Sequence, residues 1–422
     1  MLRQMLASAG ARLVVLPLTA VCSALTTYLI VDYAGGTAFG YINLVATLFL
    51  LVPFADLGLG AAVINRVSEG AATGDLEGAR ALTRAAFLAL LLSGGGVVVI
   101  ALIVAGSGFV PQMLGLPDDL AQGAGLAFVV AMFPFALSLP FGVGQRVLLG
   151  LGKNHLVNAY SAITPVTTVA MTTAMIAFEP PPLMLASAST CGVLVGAVLV
   201  FIVALRCAGW RRRFWAETTQ VRASELWSSA VPMMAIAIAV PAGQQSGRVI
   251  LAQFGSAGEL AEYAIAFQFY LPALSVATTA GLALWPMFAA DRSSRRATWR
   301  RAKIIMAMIG IVIAISYALL IRPIASLVSQ AEITVSPTLA LLLGLQLLVM
   351  AAHQPSAMLL TTPRLLVFQA FCAAGMAIVT IVMGILLAPE WGAPGIVTAS
   401  IAGLVSCQLV PGMVKARSIT RG

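Results

Sequence analysis

Apolar residues run along this chain in long segments separated by short polar connections, with little of the regular alternation that marks amphipathic elements. A helix needs about 20 consecutive apolar residues to cross the hydrocarbon core of a bilayer. By that rule, spanning helices fall near 11–31, 39–62, 85–107, 122–148, 156–177 and 183–206. A second set follows near 228–252, 261–288, 303–322, 337–360, 365–388 and 393–414. The clearest interruption is the polar, glycine-punctuated run from Asp56 to Arg84, read as the connection between the second and third helices. Gly58 and Gly60, close to Asp56 within this run, suit a helix end or a close helix contact.

The charged residues test this partition. Cytoplasmic connections carry the excess of Lys and Arg. With an inside N-terminus, all of the 24 Lys and Arg residues except Arg248 and Arg322 fall on the cytoplasmic side. Asp32, Asp118, Asp119, Glu179, Glu259, Glu262, Glu332 and Glu390 fall on the other. The reading is an all-α polytopic membrane protein of twelve transmembrane helices with both termini cytoplasmic. Its longest basic connection separates two sets of six, giving an N-terminal lobe at 1–206, a basic amphipathic linker at 207–227 and a C-terminal lobe at 228–422. A faint internal echo supports pseudo-symmetric lobes: YAGGTAFGYINL at 33–44 resembles FGSAGELAEYAIAF at 254–267, aligning Gly36 with Gly258 and Tyr41 with Tyr263. Six-helix halves related by an axis along the membrane normal are a known transporter plan.

Composition narrows the classes. The chain is 60% hydrophobic and 9% charged, against about 25% charged in a soluble domain. Its net charge of +9 sits in short connections, which favours lipid headgroups over nucleic acid. Five scattered cysteines form neither a metal-ligand pattern nor a disulfide framework. The first apolar run, 13–31, exceeds the usual signal-peptide core of about 7–15 residues and reads as an uncleaved helix. GLGKNH at 150–155 fails as a phosphate loop: Val147 stands where a glycine is needed and Asn154 where Ser or Thr is needed. No cofactor or metal site is expected.

Arg248 is the most informative single residue. It lies in the seventh segment within GQQSGRVILAQF, with Gln244 and Gln245 one turn earlier. An ionisable group at membrane depth usually faces a protein interior or an aqueous cavity. One reading makes Arg248 an anion site, its guanidinium and the amides meeting phosphate oxygens; the other has it snorkelling to the outer headgroups. Both are open at this level. Asp56 is the best candidate for a coupling carboxylate, with a helix-end role as the alternative. Pro17, Pro232, Pro241, Pro272 and Pro355 interrupt helices, as bent gating elements or as packing irregularities. Gly94-Gly95-Gly96 is expected to permit close helix contact. The stretches RRRFWAETTQVRASELW and DRSSRRATWRRAK interleave Arg with Trp, which suits anchoring at headgroups.

Several of these segments also carry a family resemblance. The run 39–86, with its Gly-Tyr start, D-L-G-L-G helix end and G-D-x-x-x-A-R before the third helix, resembles polysaccharide flippases of the multidrug/oligosaccharidyl-lipid/polysaccharide exporter superfamily. GLGKNHLVNAYSAI and RVILAQFGSAGELAEYAIAF look like family positions too. Gly247 stands where such proteins often carry Asp, Gln268 where a basic residue is common, and Asp32 where Arg is common. The resemblance implies flipping of an undecaprenyl-diphosphate-linked oligosaccharide to the periplasmic leaflet of a bacterial inner membrane by alternating access. Arg248, Gln244, Gln245 and Gln268 would contact the substrate. Polymerase and chain-length regulator proteins would be partners alongside membrane lipids. The alternatives are a cation-coupled multidrug antiporter of the same superfamily, a major-facilitator transporter, and a membrane enzyme such as an O-antigen polymerase or acyltransferase. The enzyme is disfavoured by the short outer loops.

Overall fold

The computed structural model describes residues 2–48, 59–216, 230–282, 284, 295–360 and 363–420. Every regular element among them is helical. The main helices are α1 Leu2–Thr47, α2 Leu59–Thr73, α3 Leu76–Gly106, α4 Ala124–Phe141, α5 Val143–Gly150, α6 Ile163–Ile176 and α7 Ala186–Cys207. They continue as α8 Ala230–Phe254, α9 Ala257–Leu282, α10 Arg295–Val328, α11 Pro337–Leu359, α12 Pro363–Gly403 and α13 Val410–Ile419. Eight described helical runs are long and apolar enough to cross a membrane, and many of their large apolar side chains face outward. The protein is an all-α, multi-pass membrane protein.

Two compact units divide the chain. The first comprises Met1–Ala34 and Val45–Ala237, the second Gly35–Leu44 and Ile238–Gly422. The expected gap between the first two helices therefore appears as a backbone break inside α1. Gly35 takes φ 83°, ψ 160°, a backbone conformation that L side chains rarely adopt. The segment beyond it packs into the second unit. Glycine is also needed at position 40, where a Cβ would come within 2.9 Å of the Ala261 backbone nitrogen. Residues 35–44 of one half of the sequence echo thus meet the other half, 254–267, within the second unit. A similar break occurs at Gly392 (φ 54°, ψ −135°), in the run that contains the last two expected helices.

Carboxylates hold these breaks. Glu332 accepts the Gly36 N–H at 2.6 Å, the position of a helix-capping acceptor. Glu259 accepts both the N–H and the hydroxyl of Ser256 and lies against Gly392. Glu262 accepts the Ser336 N–H at 2.7 Å. Arg322, one of the two cations outside the charge pattern, donates to the Val335 carbonyl at 3.2 Å. These charged residues thus have structural partners at helix breaks and helix starts.

Several sequence expectations are corrected. The polar run after Asp56 is mostly helix rather than loop: α2 and α3 are separated only by Gly74 and Asp75. Gly74 supplies the positive φ that stops α2, and Asp75 caps α3 by accepting the Gly78 N–H. Arg66 donates to Asp75 at 2.5 Å and to Glu69 at 3.3 Å. The basic run before the ninth expected helix is likewise a helical extension, since α10 already covers 295–303. The segment 156–177 is divided into a short helix, Asn154–Tyr160, and α6. Only Gly94 of the glycine triplet meets a neighbour, the Ala136 backbone carbonyl; Gly95 and Gly96 face open space.

The described aromatics of the linker divide: Trp215 is exposed, as a headgroup anchor should be, and Phe214 is not. Phe214 is fully buried and Trp210 nearly so, in a cluster with Phe87 and Phe201, whereas Arg211, Arg212 and Arg213 are exposed. Phe214 packs edge-on against Phe201 at 5.4 Å and Trp215 at 5.0 Å. Burying a large aromatic contributes roughly 2–3 kcal/mol, more than a headgroup contact offers. Trp299, in the second basic stretch, is also a core residue. Residues 217–227 of the linker lie outside the described residues.

Candidate functional site

The candidate site is built on α8 and α9 of the second unit. Gln245 and Arg248 share one face of α8 at a spacing of three residues. Tyr263, Phe267 and Tyr270 line one face of α9 at i, i+4 and i+7. Arg248 is 2% exposed. Its Nη1 donates to Gln245 Oε1 at 2.5 Å, and its guanidinium carbon lies 5.0 Å from the Phe267 ring centroid. The Nε atom is buried with no hydrogen-bond partner. The aromatic residues stack at 5.3 Å (Tyr263–Phe267) and 5.0 Å (Phe267–Tyr270), and Tyr317 of α10 closes the column edge-on at 6.3 Å. Tyr317 is itself fixed by donating to the Ala266 carbonyl at 2.7 Å.

Arg248 is therefore packed inside the protein, in contrast to the snorkelling arrangement. A guanidinium over an aromatic face gains about 2 kcal/mol when desolvated, and a hydrogen bond from a charged donor about 1.5–3 kcal/mol. Neither supplies a counter-charge. No ion pair involves Arg248, and no carboxylate contacts it among the described residues. Gly247 accounts for this locally. A Cβ there would meet Tyr263 Oη at 2.9 Å and Ile396 Cγ2 at 2.6 Å, so the space a carboxylate would need is taken by a tyrosine and an isoleucine. The sequence noted glycine in place of Asp; the structure supplies the physical reason that the arginine stays uncompensated.

The other expected residues separate. Gln245 joins Arg248 directly. Gln244, one residue earlier, is half-buried and turned about 100° around the helix from Gln245. Gln268 is half-buried and follows Phe267 by the same angular step, off the stacked face. Asp56 lies outside the described residues. The aromatic column was not singled out from sequence, although its i, i+4, i+7 spacing was legible. Among the described residues no cluster of His, Cys, Asp or Glu has the makings of a metal site.

Long apolar helices define a polytopic membrane protein, and here α8 carries a buried cation with no carboxylate partner among the described residues. A family profile described as polysaccharide biosynthesis protein matches residues 2–290, more than half of the chain. The chain belongs to that family. Curated protein sequences give no match. Among solved structures it is similar to the lipid II flippase MurJ in an inward closed conformation, with TM-score 0.74 and 12% identity over 99% of this chain and 88% of that one. It is also similar to an inward-facing multidrug resistance MATE family transporter of the MOP superfamily, with TM-score 0.66 and 14% identity over 98% and 99%. The MATE transporter VcmN of Vibrio cholerae in its bent form gives TM-score 0.58 and 17% identity over 99% and 97%. At these identities the likeness is one of fold.

Proposed function

We propose that this protein flips an undecaprenyl-diphosphate-linked oligosaccharide from the cytoplasmic to the periplasmic leaflet of a bacterial inner membrane, for surface polysaccharide assembly. The observation that carries this reading is Arg248, a buried guanidinium without a carboxylate partner among the described residues. Such a group is costly unless an anion completes it, and a diphosphate offers oxygens in the geometry a guanidinium fork prefers. The family match and the MurJ-like fold support the same substrate class. Gln245 orients the guanidinium, and Gln244 and Gln268, off that face, are further substrate contacts in this reading. Asp56 keeps its proposed place as a coupling or helix-end residue.

Mechanistically, twelve helices form two six-helix lobes, 1–206 and 228–422, joined by the linker 207–227, with both termini cytoplasmic. Rocking of the lobes opens the cavity to each side in turn, while the polyprenyl tail stays in hydrocarbon and the charged headgroup crosses. Polymerase and chain-length regulator proteins act on the delivered product.

Deleting the gene should leave lipid-linked glycan stranded on the cytoplasmic leaflet, measured by accessibility of the glycan to a membrane-impermeant label in inverted and right-side-out vesicles. Intact surface glycan with raised sensitivity to cationic drugs would favour the multidrug antiporter instead, a reading that the MATE-like fold also accommodates.

A further inference from the structure

The basic stretch at the start of α10 does more than orient a helix. Arg296, Arg300 and Lys303 follow one another at four- and three-residue spacing along one face of α10, and Arg417 comes from the last turns of α13. Together with Trp299 and Thr420 they line a cavity of about 540 Å³ within the second unit. No acidic residue lines it, and among the described residues none of the four cations forms an ion pair. The cavity has a fixed back wall. Trp299 is buried, donates from Nε1 to Ser356 Oγ at 3.3 Å, and packs with Ala302, Leu359 and Ala416 to join α10 to its neighbours. Lys303 lies 4.0 Å above the Trp299 ring, which holds its ammonium at the cavity.

The surroundings indicate depth. Immediately beyond Lys303 the exposed face of α10 becomes apolar, with Ile304, Ile305 and Met308 all exposed, and exposed Val414 lies at the cavity's other edge. Charge therefore gives way to hydrocarbon-facing surface at the cavity mouth, on the side that the Lys and Arg distribution assigns to the cytoplasm. Like charges that line one space repel one another, and an anion between them relieves the repulsion. Three guanidinium groups and an ammonium around one space match the oxygens of a phosphate group.

We propose that this cavity binds a phosphate-bearing anion at the membrane boundary, with anionic phospholipid headgroups and free phosphate as its two sources. The site lies apart from Arg248 and does not depend on what the protein transports.

Native mass spectrometry of the full-length protein tests it, comparing retention of phosphatidylglycerol with that of phosphatidylcholine, with and without added inorganic phosphate. The variant Arg296→Ala/Arg300→Ala/Arg417→Ala changes only exposed side chains and should keep the parental Tm. It should retain phosphatidylglycerol at least about tenfold more weakly than the parent. The charge-matched linker variant Arg211→Ala/Arg212→Ala/Arg213→Ala should retain it normally. Cavity-dependent retention indifferent to inorganic phosphate identifies a lipid headgroup. Cavity-dependent binding of inorganic phosphate, with no preference between the lipids, identifies free phosphate. Equal retention and equal phosphate binding by all three proteins, or equal losses in the two variants, would overturn the proposal.

Discussion

Arg80 and Arg248 are both buried arginines, 5% and 2% exposed, and they are buried in opposite ways. Arg80, in the first unit, pairs with Glu77 at 2.7 Å and donates to the Arg213 and Ala216 carbonyls, so it ties α3 to the turn that carries Phe214. Arg248, in the second unit, has one neutral amide oxygen and an aromatic face. The first is a satisfied structural clamp. The second holds a charge that the described protein does not neutralise, which is the condition a ligand-binding cation should meet. Burial alone does not distinguish the two; the inventory of partners does.

The comparison can be broken or sharpened by mutation, beginning with the clamp. Arg80→Met strands two carbonyls and releases the aromatic turn, and should cost about 3 kcal/mol, read as a fall in Tm of the purified protein. A Tm within error of the parent would remove the distinction. Gln245→Leu takes away the hydrogen-bond acceptor of Arg248 and should cost about 2 kcal/mol, with the loss reversed when Arg248→Met is added. Additive losses in that double mutant would mean that Gln245 acts elsewhere. Glu77→Gln should cost under about 1 kcal/mol, because its carboxylate is largely exposed.

The smallest effect is at the α2–α3 junction. The Gly78 N–H and the Arg66 guanidinium hold the Asp75 carboxyl below the usual carboxylate range. Its contribution is therefore present above the ordinary carboxyl pKa and lost as pH falls through the lower folded-state value. Asp75→Asn should lower Tm slightly at neutral pH, and the two curves should converge at acid pH. A gap that stays constant with pH would show that the carboxylate's charge is not what caps α3.

Much of the helical layout was legible because an apolar run in a membrane protein has one structural outcome. The elements that were not legible are polar. α2 and the start of α10 escaped the apolar-run criterion, though Arg66 and Glu69 three residues apart and the Asp75 cap were signals of helix. Phe214 was read as a surface anchor because its neighbours are arginines; its i, i+4 spacing from buried Trp210 was the sign of a buried face. Arg248 stood out as a cation in an apolar segment. What sequence could not supply was its surroundings, since Phe267 and Tyr263 come from another helix and only packing shows that they occupy the counter-ion's place.

The account rests on Arg248 being a ligand's cation rather than a structural one, and a ligand-induced thermal shift measures that directly. Undecaprenyl diphosphate should raise the Tm of the parent protein. Arg248→Met should be at least as stable as the parent without ligand, since an uncompensated buried charge has been replaced by an apolar side chain of similar length, and undecaprenyl diphosphate should leave its Tm unchanged. A ligand-free Arg248→Met protein as unstable as Arg80→Met, or one that undecaprenyl diphosphate stabilises as strongly as the parent, would contradict the account.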